Sequence, residues 1–457
     1  MIHKELSASF AALLAFGCGA RSGLPTDGLA SDVQSGGNGE GTGGKVSTQT
    51  SVGGRQSTGG LGGNGALSST GGVLFGAGGR TQAVGGNATG GAGATGGAVI
   101  APQATAVSAG NNFTCALLSN GSVKCWGSNA SGRMGNGSST DSTVPLPVFG
   151  LTSAIAIETG ELHACAILSD GTIQCWGENI DGRLGNGTTQ SSSVPVTVSG
   201  LTNAIAISAG YKHTCALLKD NSAVCWGDNS EGQLGADASL ISSSTPVPLT
   251  SLHGGIAAIG AGRSHTCAIP ISDVGAVACW GSNSTLQLGD NSLVGPSYSP
   301  ITVVGLNSAI ALAVGDQHSC ALIAGSNGGT VQCWGWNFYG QLGTGSGAPA
   351  NLAGNAFGIS NAVAITAADH TCALLNDGQL ECWGFNNSGE LGDRSTISRN
   401  IRVSVVGIST AIAVTAGSVH TCALLANAEL WCWGDNGFGE LGDGTLTNSA
   451  VPVKVGL

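Results

Sequence analysis

The chain has 457 residues, 79 of them glycine, with 9% charged residues and a formal net charge of −11. Its 15 lysines and arginines never form a run. Nucleic-acid binders need a basic patch or stripe, because phosphate contacts supply most of their affinity, so DNA and RNA are excluded as expected partners.

Residues 1–18 open with Lys4 ahead of an apolar stretch over residues 6–17, too short to span a bilayer as a helix. The pattern reads as an export signal, with Glu5 in its charged end. Ala15-Phe16-Gly17-Cys18 resembles the lipobox of bacterial lipoproteins, with alanine where that family usually carries leucine. The resemblance implies that Cys18 becomes the first residue after cleavage and carries a lipid. A plain secretory signal cut near Ala20 is the other reading. Either way the chain is expected outside the cytoplasm: lipid-anchored at a bacterial outer surface or in the periplasm, or secreted. Its only expected membrane contact is the lipid on Cys18.

Residues 19–100 change abruptly to Gly, Ser, Thr, Ala and Asn, as in "GGNGEGTGG". Such a segment cannot bury enough apolar surface to offset its ordering entropy. It is expected to be a disordered tether, with a random-coil reach of about 50 Å for roughly 80 residues.

From residue 101 the chain repeats itself. A first cysteine falls at Cys115, Cys165, Cys215, Cys267, Cys320, Cys372 and Cys422, and a Cys-Trp-Gly begins at Cys125, Cys175, Cys225, Cys279, Cys333, Cys382 and Cys432. Intervals of this size belong to propeller blades or solenoid units. Ala154-Ile155-Ala156-Ile157 alternates small and branched residues at strand period, and the pattern returns at 204–207 and 411–414. Both sides of this strand are apolar, so both are expected to be buried. Cys-Ala-Leu-Leu, a turn such as Ser119-Asn120-Gly121, and Val-x-Cys-Trp-Gly then form a hairpin. A polar Gly-rich loop and a Val-Pro strand, as at Val194-Pro195-Val196, complete the unit. The expected fold is all-β, a seven-bladed β-propeller over residues 101–457. Solenoid turns are usually much shorter. The copies run from Ala104 to Leu457 with almost nothing over, as expected of a closed ring.

His-Thr-Cys-Ala-Leu-Leu, Cys-Trp-Gly-x-Asn and Gly-Gln-Leu-Gly resemble the repeat of the regulator of chromosome condensation family. The resemblance implies a seven-bladed propeller. The family's eukaryotic founder promotes nucleotide exchange on a small nuclear GTPase through a wedge-like insertion, and docks on chromatin through basic segments. The near-constant cysteine spacing leaves no wedge-sized insertion here, and no basic segment exists. Exchange-type regulation of a small GTPase is therefore the second reading of function, not the first.

Of the 15 cysteines only Cys18 lies outside the seven pairs. Most pairs are ten residues apart with a turn at the centre, so the two positions face each other across a hairpin, within disulfide range. The longer spacings, Cys267–Cys279 and Cys320–Cys333, place their extra residues in the turn. His163, His213, His265, His318, His370 and His420 each stand two residues before the first cysteine. A zinc site built on them lacks a recurring fourth ligand. Phe113 replaces the histidine in the first copy while Cys115 and Cys125 remain. Seven intra-blade disulfides are expected, the histidines serve packing and hydrogen bonding, and neither metal nor cofactor is expected.

No nucleophile elbow, P-loop, His-Glu-x-x-His or sialidase-type box occurs, and no catalytic residue is assigned. Acidic residues such as Glu178, Asp181, Asp228 and Glu231 read as solvated loop charges. The tryptophans of Cys-Trp-Gly are expected to fill the space between blades, and the asparagine after them to cap the next turn. The expected function is a non-enzymatic, monomeric surface scaffold that binds a protein or glycan. Aromatics concentrate after Cys-Trp-Gly in the last copies: Trp336, Phe338, Tyr339, Phe385 and Phe438. They are the candidate contact residues, unless the loops fold them between blades.

Overall fold

The cysteine hairpin is the unit from which the ring is built. The computed structural model describes residues 101–457 except 274 and 294, together with the backbone of Phe10–Ala11. That dipeptide pairs antiparallel with Ala313 and Val314. Otherwise the expected leader, Cys18 and the 19–100 segment lie outside the described residues.

Blade two illustrates all seven. Its strands are Ala154–Thr159, His163–Leu168, Ile173–Gly177 and Ser192–Thr197. They pair antiparallel in chain order, and six further sheets repeat the arrangement. The blades span residues 104–147, 154–197, 204–248, 256–302, 309–355, 362–404 and 411–454. First strands of neighbouring blades touch one another, which sets them at the axis. The fourth strands form the outer edges and carry Pro145, Pro195, Pro246, Pro300 and Pro452. Proline donates no ladder hydrogen bond, so it suits an edge and blunts it against pairing with other chains.

The hairpin register is the one that the cysteine spacing predicts. Cys165 faces Cys175 and Cys215 faces Cys225. All seven pairs are disulfide-bonded, with Cα atoms 4.0–4.1 Å apart. In the two longer hairpins the turn alone has grown.

The first strand differs from expectation. Its second residue is exposed: Ile155 is 49%, Ile310 41% and Ile412 54% accessible. The pairing with the second strand shifts register between its first and third residues, as between Ala154 and Ala156. This bulge breaks the two-residue alternation and turns the second side chain outward.

Seven apolar cores lie between blades rather than within them. Trp176 of blade two packs with Cys115, Cys125, Met134 and Val148 of blade one. Trp126 of blade one packs with Cys422, Cys432 and Leu441 of blade seven, which closes the ring. The seven repeat tryptophans are fully buried, and each such indole contributes about 4–6 kcal/mol of apolar burial. The last glycine of Gly-x-Leu-Gly lies flat on the next indole. At Gly135, with φ +68°, an added Cβ would stand 2.7 Å from the Trp176 ring. No side chain fits there, and the left-handed backbone favours glycine independently. Blades one and seven each hold all four of their own strands, so closure involves no strand exchange.

A candidate binding face at the mouth of the ring

His163 pairs with Gly177, so the turn before His163 and the loop after Cys-Trp-Gly emerge on the same face of the disc. The Glu178 amide donates to the Leu162 carbonyl at 2.9 Å and ties the two together. All blades repeat this, so one face gathers seven short turns around the axis, five of them Gly-x-x-His, and seven longer loops outside them.

Each long loop is pinned by the asparagine of Cys-Trp-Gly-x-Asn. Asn179 Oδ1 accepts from the Leu184 amide at 2.8 Å, and its Nδ2 donates to the Thr188 and Gln190 carbonyls at 3.0 Å. One buried side chain thus fixes the whole loop, more than a turn cap does.

Beneath the loops a belt of hydrogen bonds joins blade to blade. The histidine Nε2 of one blade meets the Thr or Ser hydroxyl of the next at 2.6–2.9 Å, six times. That hydroxyl donates its own hydrogen to a carbonyl in the loop of the blade before, for example Thr214 to Arg183 at 3.0 Å. The hydroxyl hydrogen is therefore spent, and the imidazole Nε2–H is the donor to it. The indole of the same blade shares that carbonyl: Trp226 Nε1 donates to Arg183 O at 2.8 Å. Burial drives the imidazole pKa values down, to about 3 at His213, His265, His318, His370 and His420. These rings are neutral structural groups.

The residues just ahead of the belt differ from blade to blade. In these turns the blades present in order Asn111, Glu161, Tyr211, Arg263, Asp316, Asp369 and Ser418, the first turn ending in Phe113 instead of histidine. The sixth turn is one residue shorter and starts at Ala368. Glu161 is 4% exposed and accepts from Asn111 Nδ2 at 3.0 Å through one oxygen, while its Oε2 has no partner. Burial and then the Asp316 carboxylate push its pKa up to about 9, against the pull of Arg263, Asn111 and Arg133. Asp369 keeps part of its surface open, yet desolvation and a hydrogen bond with Asp316 raise its pKa well above the usual range. Arg263 lies over the Tyr211 ring, 4.8 Å from its centroid. Side chains from blades two, four, five and six thus converge on one mouth. A cavity of about 220 Å³ beside it is lined by Arg263 and Asp316 with Glu231, Ser282 and Gln287.

The face is acidic. Among the described residues its positive charges are Arg133, Arg183, Lys212, Arg263, Arg394 and Arg399, and Arg183 is already bound to Glu178 at 3.0 Å and Asp181 at 2.6 Å. The expectation of solvated loop charges therefore fails for these two carboxylates. It fails for Asp228 as well, which is buried and accepts from Gln233 Nε2 at 3.0 Å.

Four of the five aromatic candidates meet on blades five and six. Trp336 stacks on Phe338 at 6.1 Å, Phe338 meets Tyr339 edge-on at 5.1 Å, and Tyr339 meets Phe385 at 4.9 Å. Phe338 is 68% exposed, Trp336 and Tyr339 are half-buried, and Phe385 is buried beneath them. Phe438 on blade seven is exposed but makes no ring contact with the other four among the described residues. Among those residues no group of three His, Cys, Asp or Glu side chains is arranged to hold a metal ion.

The Regulator of chromosome condensation (RCC1) repeat matches residues 120–167, 170–217, 222–269, 275–322 and 377–424. A second form of the repeat matches 104–133, 154–183, 204–233, 362–390 and 411–440. The stretch 323–361, which carries Trp336, Phe338 and Tyr339, lies outside both. The ultraviolet-B receptor UVR8 of Arabidopsis thaliana is 34% identical over 106 residues, 22% of each chain, so the match spans under a quarter of that relative. Prp20p of Saccharomyces cerevisiae, described with its binding to Gsp1p and histones, superposes with a TM-score of 0.64 at 21% identity, over 76% of this chain and 86% of that one. Human WBSCR16 superposes with a TM-score of 0.62 at 20% identity, over 69% and 85%. These likenesses show the fold, and the matched repeats cover more than half of the sequence: the chain belongs to the regulator of chromosome condensation repeat family.

Proposed function

We propose that the chain is a non-enzymatic scaffold that holds a protein partner on its loop face, at the sector of blades five and six. The observation that carries this reading is the exposed Phe338 ring, supported by Trp336 and Tyr339 over a buried Phe385. Exposed aromatics on a rigid base are the usual anchors of protein contacts. The surrounding carboxylates favour a partner with basic side chains, and electrostatic complementarity of this kind speeds encounter. An export signal and a lipid on Cys18, followed by the Gly-rich tether, would present this face outside the cytoplasm.

Two neighbouring carboxyl groups, as Asp316 and Asp369 are, also occur in acid–base catalysts. Here Asp316 is 1% exposed and the adjoining cavity of about 220 Å³ is below the usual range for a substrate cleft. Nucleotide exchange on a small GTPase is the weaker reading, since no wedge-sized insertion interrupts the blades.

The test is capture from surface extracts with the intact chain, read by mass spectrometry, beside the Trp336→Ala/Tyr339→Ala variant. A protein retained by the parent and lost with the variant supports the reading. A glycan retained instead, or a partner held equally by both, overturns it.

A further inference from the structure

The fourth strands are the outer edges of the ring, and all but one of them are guarded. In each, the residue just before the one facing the second cysteine turns its N–H out of the sheet. Proline fills that place in five blades, as Pro145, Pro195, Pro246, Pro300 and Pro452. Blade six has Arg402 there, bound to Glu381 at 2.9 Å, and Arg399 opens the same strand. Prolines and charged side chains both keep a foreign strand from pairing with an edge. Blade five has neither: its fourth strand, Ala350–Asn355, reads Ala-Asn-Leu-Ala-Gly-Asn.

The groups that this strand leaves open follow from its ladder. The Ala356 amide donates inward to the Val331 carbonyl at 2.9 Å, and Gly354 faces Cys333. Alternate residues of an antiparallel strand point opposite ways, so Ala353 and Asn355 direct N–H and C=O outward. Among the described residues no strand pairs with that side. The Asn291 amide of blade four takes the Asn351 carbonyl, so the open stretch starts at Leu352. Leu352 and Phe357 are exposed on either side of it. No charged residue occurs from Gln317 to Ala368. Copies of a chain of net charge −11 repel one another, least where neither brings a charge.

We propose that the outer edge of blade five is a docking edge for a second copy of this chain. Under two-fold symmetry the two Ala350–Asn355 strands run antiparallel, with Ala353 of each copy opposite Asn355 of the other. Each such pair exchanges both N–H···O bonds. A two-fold contact of this kind closes on itself, so association stops at the dimer. Gly354 meets Gly354 at the axis, where no side chain keeps the strands apart. Two blades become one continuous sheet. The dimer replaces the monomer expected from the sequence. It goes beyond the partner-binding reading and uses the outer edge, not the loop face. An edge pair this short buries less than the roughly 1,200 Å² of standard interfaces, so the dimer is concentration-dependent.

Sedimentation velocity of the full chain over a concentration series tests this, beside Ala353→Pro. That variant gives blade five what five other blades already carry, so it should fold, and its thermal midpoint checks this. Asn355→Pro, which copies Pro147 and Pro248, is the second variant. Expected are a monomer–dimer equilibrium in the parent and a dissociation constant raised about tenfold or more in each proline variant. Hydrogen exchange at residues 352–356 should slow as the parent dimerises. Trp336→Ala/Tyr339→Ala should dimerise as the parent does. A parent that stays monomeric throughout overturns the proposal, whether the edge then serves a strand of another protein or none. A dimer that both proline variants leave unchanged overturns it as well. So does a dimer lost in Trp336→Ala/Tyr339→Ala but kept in Ala353→Pro, because the copies would then meet at the aromatic rim.

Discussion

Phe113 of blade one and Ala164 of blade two pack together in one apolar core, at the single blade interface where the histidine–hydroxyl hydrogen bond is missing. Everywhere else in the ring the same two places hold an imidazole and a Thr or Ser hydroxyl. Both members have changed together. A histidine opposite Ala164 would bury a donor with nothing to accept it, and a threonine opposite Phe113 would gain nothing from the ring. Removing both partners of a buried hydrogen bond can be nearly neutral, whereas removing one leaves the other's desolvation unrepaid.

This pairing predicts a double-mutant cycle at another interface. His213→Phe and Thr266→Ala should each lower stability by about 1–3 kcal/mol. The double variant should lose less than the sum, with a coupling of about 1 kcal/mol or more. Denaturant unfolding of the four proteins measures this, and strict additivity would refute the explanation.

The disulfides are buried at 0% exposure. Reductant should therefore leave the folded ring untouched and act only with denaturant present. Opening one hairpin by Cys215→Ala/Cys225→Ala should cost about 2–3 kcal/mol on the chain-entropy argument. Non-reducing peptide maps are expected to join Cys115 with Cys125 and so on round the ring. Thiols titratable in the native protein would contradict the staple.

The partner-binding proposal predicts that binding and folding separate at the aromatic rim. Phe385→Ala removes a buried support and should cost about 3 kcal/mol. Trp336→Ala/Tyr339→Ala should weaken partner capture with little change in thermal midpoint. If the double variant unfolds as Phe385→Ala does while still binding, those rings are core and not contact.

Stability should have a broad optimum in pH. The unfolded chain takes up protons on the six belt histidines below about pH 6.5, while five of them stay neutral in the ring until about pH 3. Acid therefore erodes stability across that window. Glu161 acts in the opposite sense, because the unfolded carboxyl ionises above 4.5 and the folded one only near 9. Glu390 and Glu440, raised by burial to about 7, follow it over a narrower range. Between pH 4.5 and 6.5 the two trends oppose each other. The thermal midpoint should fall steeply below pH 4.5 and gently from 7 to 9. A midpoint that holds steady from pH 4.5 to 3.5 would mean that the imidazoles accept protons inside the ring.

Much of this ring is legible in the sequence, because its period is carried by residues whose geometry is strict. Opposed cysteines set the hairpin register, and a tryptophan beside each one fixes which side meets the next blade. The exposed Ile155 and its equivalents were not legible, since a bulge leaves no mark in the alternation of small and branched residues. The mouth was missed for a different reason. Asn111, Glu161, Tyr211, Arg263, Asp316 and Ser418 share no chemistry, and only their common place, directly after the turn glycine, unites them; Asp369 follows Ala368 instead. Positions where the copies disagree, lined up on the histidine, were the available signal. The aromatic cluster was legible as a concentration of rings, but not that Phe385 lies beneath the others or that Phe438 stands apart.

Closure without a shared strand makes the junction between blades seven and one chemically the same as its neighbours. His420 meets Thr114 and Trp126 donates to the Glu440 carbonyl as their counterparts do elsewhere. The ring therefore has no privileged beginning. Joining residue 457 to residue 101 and opening the chain at the exposed Gly200, where an added Cβ would meet nothing within 4 Å, would change the order of synthesis and leave every blade intact. What sets one junction apart is not where the first blade starts but the apolar pair Phe113 and Ala164, which stands where the other six interfaces carry the polar clasp.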